Sequence, residues 1–188
     1  MEADWAVEIG GAAARIEADW AGFVDLRRDA GRVEEIAEAR EHPALRAALL
    51  ALNESGSPVF TSKCDVWELA AEEIDPLEFD YGVSEARAGL ASYIDLIARN
   101  REVFTSFEAH ERWGRQTALA LRGETIRRGR ADVVVRAATA GGAEGFGVTL
   151  YAAGCGVDSS AAEAAWGEIL PLAVVATMRE ARASSSIG

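Results

Sequence analysis

The feature that most constrains this chain is a change of hydrophobic period near residue 56. Upstream of it, apolar residues recur at helical spacing. Downstream, runs rich in β-branched and aromatic residues come in two pairs, and a segment of helical spacing follows each pair. The predicted strands are 59–69, 90–98, 132–138 and 145–153, and the predicted helices are 106–122 and 160–182. The order ββαββα predicts the α+β fold class.

The same order predicts a four-stranded antiparallel sheet with its two helices on one face. Residues 139–143 contain two glycines between two predicted strands, as in a β-hairpin. A five-stranded sheet is the alternative, if residues 70–89 contain another strand. The second face of such a sheet also has to be covered, and we expect the N-terminal helices to cover it.

The N-terminal region is predicted to be helical. Ile16, Trp20, Phe23 and Val24 follow the spacing i, i+4, i+7, i+8 of an amphipathic helix, which we expect over residues 12–29. Further helical patterns continue to residue 55. The predicted parts of the chain are a helical arm or layer over 1–55, an α+β domain over 56–183 and a flexible tail over 184–188.

Composition and length predict a cytoplasmic globular protein. The chain has 188 residues, of which 49% are hydrophobic and 27% charged, so a core can form without metal or disulfide bonds. Two cysteines are too few for a disulfide framework. Residues 1–4 lack the basic region of a secretory signal, and no apolar run approaches the roughly 20 residues of a membrane span. We therefore expect no contact with a membrane.

The net charge opposes binding to nucleic acid. At −12, the protein repels phosphate groups at long range. The charges are also clustered, because residues 64–86 contain eight acids and no base, whereas 99–130 contain eight arginines and four acids. These two segments meet within one molecule, meet across a dimer, or remain separate solvated faces.

The first functional hypothesis is binding to another protein chain, either a second copy or a basic protein. The acidic segment 72–81 carries apolar residues among carboxylates, and the arginine segment 122–130 complements its charge. The alternative is that the apolar residues dock on the protein's own core and the arginines stabilise a helix C-terminus. The predicted contact residues are Ile74, Leu77, Phe79, Tyr81, Arg127, Arg128 and Arg130.

The second hypothesis is a small-molecule binder or an enzyme, with a cysteine in a pocket between the sheet and the N-terminal helices. The positive charge of Lys63 beside Cys64 favours the thiolate form of the cysteine. However, the side chains of neighbouring strand residues point to opposite faces, so the alternative is that Cys64 is a buried core residue. Cys155 lies between two glycines before a predicted helix. In one interpretation the helix dipole activates its thiol, and in the other the glycines simply form the turn that leads into the helix. The candidate catalytic residues are Cys155, Cys64, His110 and Asp95.

His110 lies near two carboxylates, a combination found in metal sites and acid–base pairs. At about 100° per residue, however, it does not point with both Glu108 and Glu111, which also pair naturally with Arg112 and Arg115. The chain has two histidines, and it carries no nucleotide-binding, zinc or kinase motif. We predict no metal and no cofactor.

Overall fold

Six strands and five α-helices make up the part of the chain that a computed structural model describes, residues 1–75, 78–79, 86–125 and 128–185. The strands are β1 (Glu2–Glu8), β2 (Ile16–Glu17), β3 (Val59–Leu69), β4 (Ala88–Ala98), β5 (Gly129–Ala140) and β6 (Ala143–Gly156). The helices are α1 (Ala37–Glu41), α2 (Pro43–Asn53), α3 (Arg101–Thr105), α4 (Phe107–Arg122) and α5 (Ser159–Ser185). Short 3-10 helices span Ala30–Glu35 and Ala71–Glu73.

The strands form one mixed sheet in the order β1-β5-β6-β4-β3. β1 and β2 pair in parallel with the free edge of β5, and the other pairs are antiparallel. The α+β class is confirmed. The predicted antiparallel sheet of four or five strands is wrong, because the additional strands come from the N-terminus and run parallel to β5. Residues 2–8 largely alternate between acidic and apolar side chains, which is the period of a half-buried strand.

The predicted helix over residues 12–29 is also wrong. Ile16 and Glu17 pair with Ala138 and Thr139 of β5, and turns follow. Ile16 is fully buried in this position. The free edge of β5 offers backbone hydrogen-bond partners and a buried environment for Ile16. That tertiary contact outweighs a local helical spacing weakened by a glycine.

All three long helices, α2, α4 and α5, pack on one face of the sheet. Trp113 of α4 and Trp166 of α5 share a core with Leu49 of α2 and with Ile94 and Leu150 of the central strands. The prediction that N-terminal helices cover the second face is therefore wrong. The apolar stripe of α2 packs beside α5 instead, where burial against an existing core removes it from water.

The sheet is curled, and the face opposite these helices is concave. In a flat sheet β2 and β3 would lie four strand spacings apart, about 19 Å. The hydroxyl of Ser62 in β3 nevertheless donates a hydrogen bond to the carbonyl of Glu17 in β2. The Lys63 ammonium also lies 4.0 Å from the Glu17 carboxylate. We term the surface that faces away from α2, α4 and α5 the concave face.

Two chain segments cover the ends of the concave face. At one end, Ile16, Ala18 and Phe23 pack in an apolar cluster with Phe60 and Ile97. At the other end, Ile74 and Phe79 from the segment after β3 pack against the last residues of β6. The middle of the concave face lies between these segments.

The long helix α5 satisfies the length and hydropathy criteria for a membrane-spanning helix, and half of the qualifying window is buried within the protein. The core helix of a soluble protein satisfies the same criteria. The expected absence of membrane contact and the cytoplasmic location therefore stay predictions.

Candidate functional site

The strand register aligns side chains into rows across the concave face. One row contains, from β3 to β1, Asp65, Tyr93, Tyr151, Asp132 and Asp4. Successive residues of a strand alternate between faces, so rows two residues away point to the same side. The centre of the concave face is thus a pair of tyrosines with carboxylates on both flanks.

The two neighbouring rows differ in character. On one side, Asp95, Thr149 and Val134 follow one another across β4, β6 and β5. On the other side, two alanines separate Trp67 from Arg130, and their small side chains leave space above the sheet. Three rows therefore bring aromatic rings, carboxylates and a guanidinium group together.

The aromatic rings form a continuous surface. The ring centres of Trp67 and Tyr93 are 6.3 Å apart, those of Tyr93 and Tyr151 are 6.1 Å apart, and both pairs are tilted by about 50°. Burial and the neighbouring carboxylate of Asp95 raise the pKa of Tyr93 to about 12. Its hydroxyl therefore stays protonated at neutral pH and can donate or accept a hydrogen bond.

Asp95, one of the predicted candidates, lies on the concave face and is 7% exposed. The hydroxyl of Thr149 donates a 2.6 Å hydrogen bond to its Oδ1 atom. Burial raises the pKa of Asp95, and the Thr149 hydrogen bond and the charge of Arg136 lower it in part. Asp95 is a desolvated carboxyl group, the kind of acid that functional sites often contain.

Arg136 joins three strands at the edge of this surface. Its guanidinium forms a 2.8 Å ion pair with Glu8 of β1 and donates a 3.3 Å hydrogen bond to the hydroxyl of Tyr151 in β6. Arg136 is only 8% exposed, so the pairing compensates the cost of removing its charge from water. Its charge is therefore largely neutralised by Glu8.

Arg130 and Asp132 form a second charged group nearer the start of β5. The Arg130 guanidinium lies 2.6 Å from Oδ2 of Asp132 and 2.7 Å from the carboxylate of Glu78. The other oxygen of Asp132, Oδ1, is buried. Burial raises the pKa of Asp132, and the pairing with Arg130 and a hydrogen bond from the Asp4 backbone lower it in part.

Two adjoining cavities open beside Asp132. The first, of about 320 Å³, lies over β1 and β5 and reaches Tyr151. The second, of about 280 Å³, extends toward Glu78. Both are lined by Asp4, Arg130 and Asp132, and we term the combined space the Asp132 cleft. Four carboxylates and two guanidinium groups line the cleft, so its local charge is negative.

Cys64 faces the helices rather than the concave face. It borders a separate cavity of about 210 Å³ between β3 and the N-terminal segments, together with Trp20, Leu49 and Lys63. Burial, with a smaller contribution from the carboxylate of Glu38, raises the pKa of the Cys64 thiol to about 12. The thiol is therefore protonated at neutral pH and is a poor nucleophile.

Cys155 and His110 are both fully buried, at different places. Cys155 lies beneath Ile74 and Phe79, and burial raises its thiol pKa. Burial lowers the pKa of His110 to about 4, and its Nδ1 atom lies 2.9 Å from the carbonyl of Ser106. The four predicted catalytic residues do not form one group, since Cys64 and His110 lie on the helix side of the sheet.

The structure brings part of the acidic and arginine segments together within one molecule. Ile74 and Phe79 are 7% and 3% exposed, and they pack on the protein's own core. Arg130 pairs with Glu78, and the backbone N–H of Arg128 donates to the carbonyl of Phe79. Three further predicted contact residues, Leu77, Tyr81 and Arg127, lie outside the described residues.

Sequence reasoning missed most of the concave face. The alternation of Asp132, Val134 and Arg136 in β5 was the available signal, because polar residues at period two within an apolar strand mark one face. Among the described residues, no group of three or more His, Cys, Asp or Glu side chains is placed to hold a metal ion. A scan of protein-family models and searches of curated proteins and solved structures find no match to this chain.

Proposed function

We propose that this protein binds a small organic molecule in the Asp132 cleft. The observation that carries the proposal is the cleft itself, two adjoining cavities of about 320 and 280 Å³ that share Asp4, Arg130 and Asp132. A concave space of this size with a few convergent polar groups is typical of a small-molecule site.

The surroundings of the cleft support the same proposal. Small-molecule sites combine apolar and aromatic walls with a few polar groups that fix orientation. In the cleft, Tyr151 and Val134 provide the apolar contacts, and Asp132 and Arg130 provide the polar ones. The ion pairs of Arg130 hold its guanidinium in place before a ligand arrives.

This proposal keeps the small-molecule binder expected from the sequence and moves its site. The cavity beside Cys64 lies where that hypothesis placed a pocket, between the sheet and the N-terminal segments. The Cys64 thiol, which that hypothesis made the reactive group, is protonated at neutral pH. We therefore favour the cleft, and the Cys64 cavity is the site against which to test it.

Binding to another protein chain stays a prediction. The intramolecular contacts of Ile74, Phe79 and Arg130 use side chains that the hypothesis assigned to a partner. For this reason we rank the small-molecule proposal first.

The test is a titration of the ¹⁵N-labelled protein with three probes of one shape, benzamide, benzoate and benzamidinium, followed by amide chemical shifts. We expect at least one probe to shift β5 and β6 amides around Asp132 and Tyr151 saturably, at the millimolar concentrations typical of small fragments. Tyr151→Ala should abolish these shifts, whereas Trp20→Ala, in the other cavity, should leave them unchanged. Shifts confined to residues near Cys64, or no saturable shifts with any probe, would overturn the proposal.

A further inference from the structure

A separate cavity of about 270 Å³ opens where β4 ends and where β5 turns into β6. Its lining includes the arginines Arg27, Arg99 and Arg101 and, among the described residues, no acidic side chain. The protein as a whole has a net charge of −12, so the charge of this wall is opposite to that of the protein. We term this space the Arg99 cavity.

Backbone carbonyl groups, and not a carboxylate, hold the guanidinium of Arg99. Its Nε atom donates a 2.8 Å hydrogen bond to the carbonyl of Val59, and its Nη2 atom donates to the carbonyls of Asn53 and Glu54 at 2.8 and 2.9 Å. Neutral carbonyls orient the guanidinium but do not cancel its charge. Burial and the nearby charge of Arg27 lower the pKa of Arg99, and an anion bound beside it would relieve that repulsion.

The guanidinium of Arg27 is held between an aromatic ring and one carboxylate. Its central carbon lies 3.9 Å from the centre of the Phe60 ring, and its Nε and Nη2 atoms donate to the carboxylate of Asp25 at 2.7 and 2.9 Å. The same carboxylate lies 3.3 Å from the guanidinium of Arg28. One negative charge is therefore shared by two arginines.

The surplus charge around the cavity is positive. Of the three arginines in its lining, only Arg27 pairs with a carboxylate among the described residues. A second carboxylate, that of Asp19, accepts a 2.7 Å hydrogen bond from the backbone N–H of Gly141 in the cavity wall. With Arg28 included, four arginines lie in or beside the cavity against two carboxylates. An anionic ligand is attracted there, whereas a cationic ligand is repelled.

The rest of the wall is apolar, and the guanidinium groups are accessible from solvent. Phe60 and Phe104 are each 5% exposed and line the cavity together with Ile97 and three alanines. Arg101 is exposed, and the side chain of Arg27 is 32% exposed. Apolar walls favour an organic ligand over a hydrated inorganic ion, because they cannot replace the water that such an ion would lose.

We infer that the Arg99 cavity binds a small organic carboxylate. The carboxylate of the ligand accepts charge-assisted hydrogen bonds from Arg99 and Arg101, and its apolar part lies against Phe104. A single anionic group suits a protein whose net charge repels large polyanions at long range. Binding here does not depend on ligand binding in the Asp132 cleft.

The experiment compares benzoate with benzamide, its neutral counterpart of nearly the same shape, on the ¹⁵N-labelled wild-type protein. Binding is followed by the chemical shifts of the amides of residues 98–101 and 140–143. We expect benzoate to bind at least tenfold more tightly than benzamide. The affinity for benzoate should also fall as salt is added, because the interaction is between charges.

Three variants of equal charge change test the arginines. Arg99→Gln should weaken benzoate binding at least tenfold, because it removes the charge that the carbonyls orient. Arg101→Gln changes an exposed side chain and should weaken benzoate binding about threefold, the size expected of an exposed ion pair. Arg115→Gln, an exposed position on α4, is the matched control and should leave the affinity for benzoate unchanged.

Benzamide binding in the Arg99 cavity as tightly as benzoate would overturn this inference. An unchanged benzoate affinity in a folded Arg99→Gln variant would also overturn it, and if that variant does not fold, an unchanged affinity in Arg101→Gln would do so. Saturable benzoate shifts at Asp132 and Tyr151 alone would support the proposed function and contradict a site at Arg99. Benzoate shifts in the Arg99 cavity with no probe binding at Asp132 would have the reverse meaning.

Discussion

The two faces of the curled sheet are built from the same strands and differ in what their side chains do. On the helix face, Trp113 and Trp166 are at most 1% exposed, and their indole N–H groups donate to Thr177 and Ser92. On the concave face, Trp67 is 37% exposed, and Asp95 and Asp132 are desolvated carboxyl groups.

We interpret the helix face as the part that stabilises the fold and the concave face as the part that carries the function. The helix face is close to fully packed, and its tryptophan N–H groups are satisfied, as expected of a core that holds the fold. The concave face contains desolvated carboxyl groups, which cost stability unless something else compensates them. Substitutions on the two faces should therefore change the free energy of unfolding by different amounts and with different signs.

The largest effect is expected for Trp166→Ala. Removing a fully buried indole leaves a cavity and removes the hydrogen bond that the Ser92 hydroxyl accepts, so the free energy of unfolding should fall by about 3–5 kcal/mol. Trp67→Ala, the matched change on the concave face, should cost less than about 1 kcal/mol. Urea denaturation of both variants measures the difference. Similar losses for the two would show that the concave face also carries the core of the fold.

The next largest loss of stability is expected on acidification, and it depends on His110. Burial lowers its pKa to about 4 in the folded protein, whereas the unfolded chain titrates near 6.5. As the pH falls from 6.5 toward 4, only the unfolded state takes up this proton, so stability is lost over that interval, by roughly 3 kcal/mol. The free energy of unfolding should therefore decrease less in His110→Gln than in the wild type between pH 7 and pH 4. Parallel pH profiles for the two proteins would contradict the buried, neutral state of His110.

A smaller loss of stability is expected for a substitution of Gly154, where β6 lies against α5. A Cβ atom on Gly154 would overlap the backbone of Trp166, which cannot move independently of the helix. Gly154→Ala should therefore cost about 1–3 kcal/mol. Gly167→Ala is the control, because nothing lies within 4 Å of its Cβ position and alanine favours the helix by about 0.5–1 kcal/mol. Thermal unfolding should move in opposite directions for the two variants, and a shared direction would argue against the close helix–sheet contact.

The smallest expected change is a gain in the free energy of unfolding, and it concerns Asp95 on the concave face. Burial raises the pKa of Asp95, so the unfolded chain ionises first as the pH rises, and the folded state loses relative stability through that interval. Asp95→Asn removes this titration and can still accept the Thr149 hydrogen bond. The variant should therefore be more stable than the wild type at pH 7, and the gain should disappear at acid pH. A loss of stability at pH 7 would indicate that the ionised carboxylate has a structural partner.

The strands and helices after residue 56 could be predicted because their signals are local. The bounds of β3 agree with the predicted strand over 59–69, and α4 lies within one residue of the predicted helix over 106–122. Periodicity and residue type suffice for such segments. The strand β1 could also have been found, since its acidic and apolar residues largely alternate over Glu2–Glu8. It was obscured by the helical spacing of the apolar residues that follow it.

The candidate site could not be predicted in the same way, because its residues come from separate strands. Asp4, Asp132 and Tyr151 are distant in sequence and become neighbours only through the pairing of β1, β5 and β6. Of the predicted catalytic residues, only Asp95 lies near the centre of the concave face. The half-buried position of Cys64 and the buried positions of Cys155 and His110 depend on which elements pack above them, and a single sequence does not specify that packing.

What the sequence determined by itself was the α+β class and the alternation that places polar residues on one side of β5, since both follow from local periodicity. Only the tertiary structure decided that β1 runs parallel to β5, that α2 joins the helix face, and that the sheet curls. The reason is physical: a free strand edge and an uncovered apolar surface each accept the segment that lowers the free energy of the whole chain. The Asp132 cleft is a product of that global arrangement, because residues of β1, β5 and the Glu78 segment together line it.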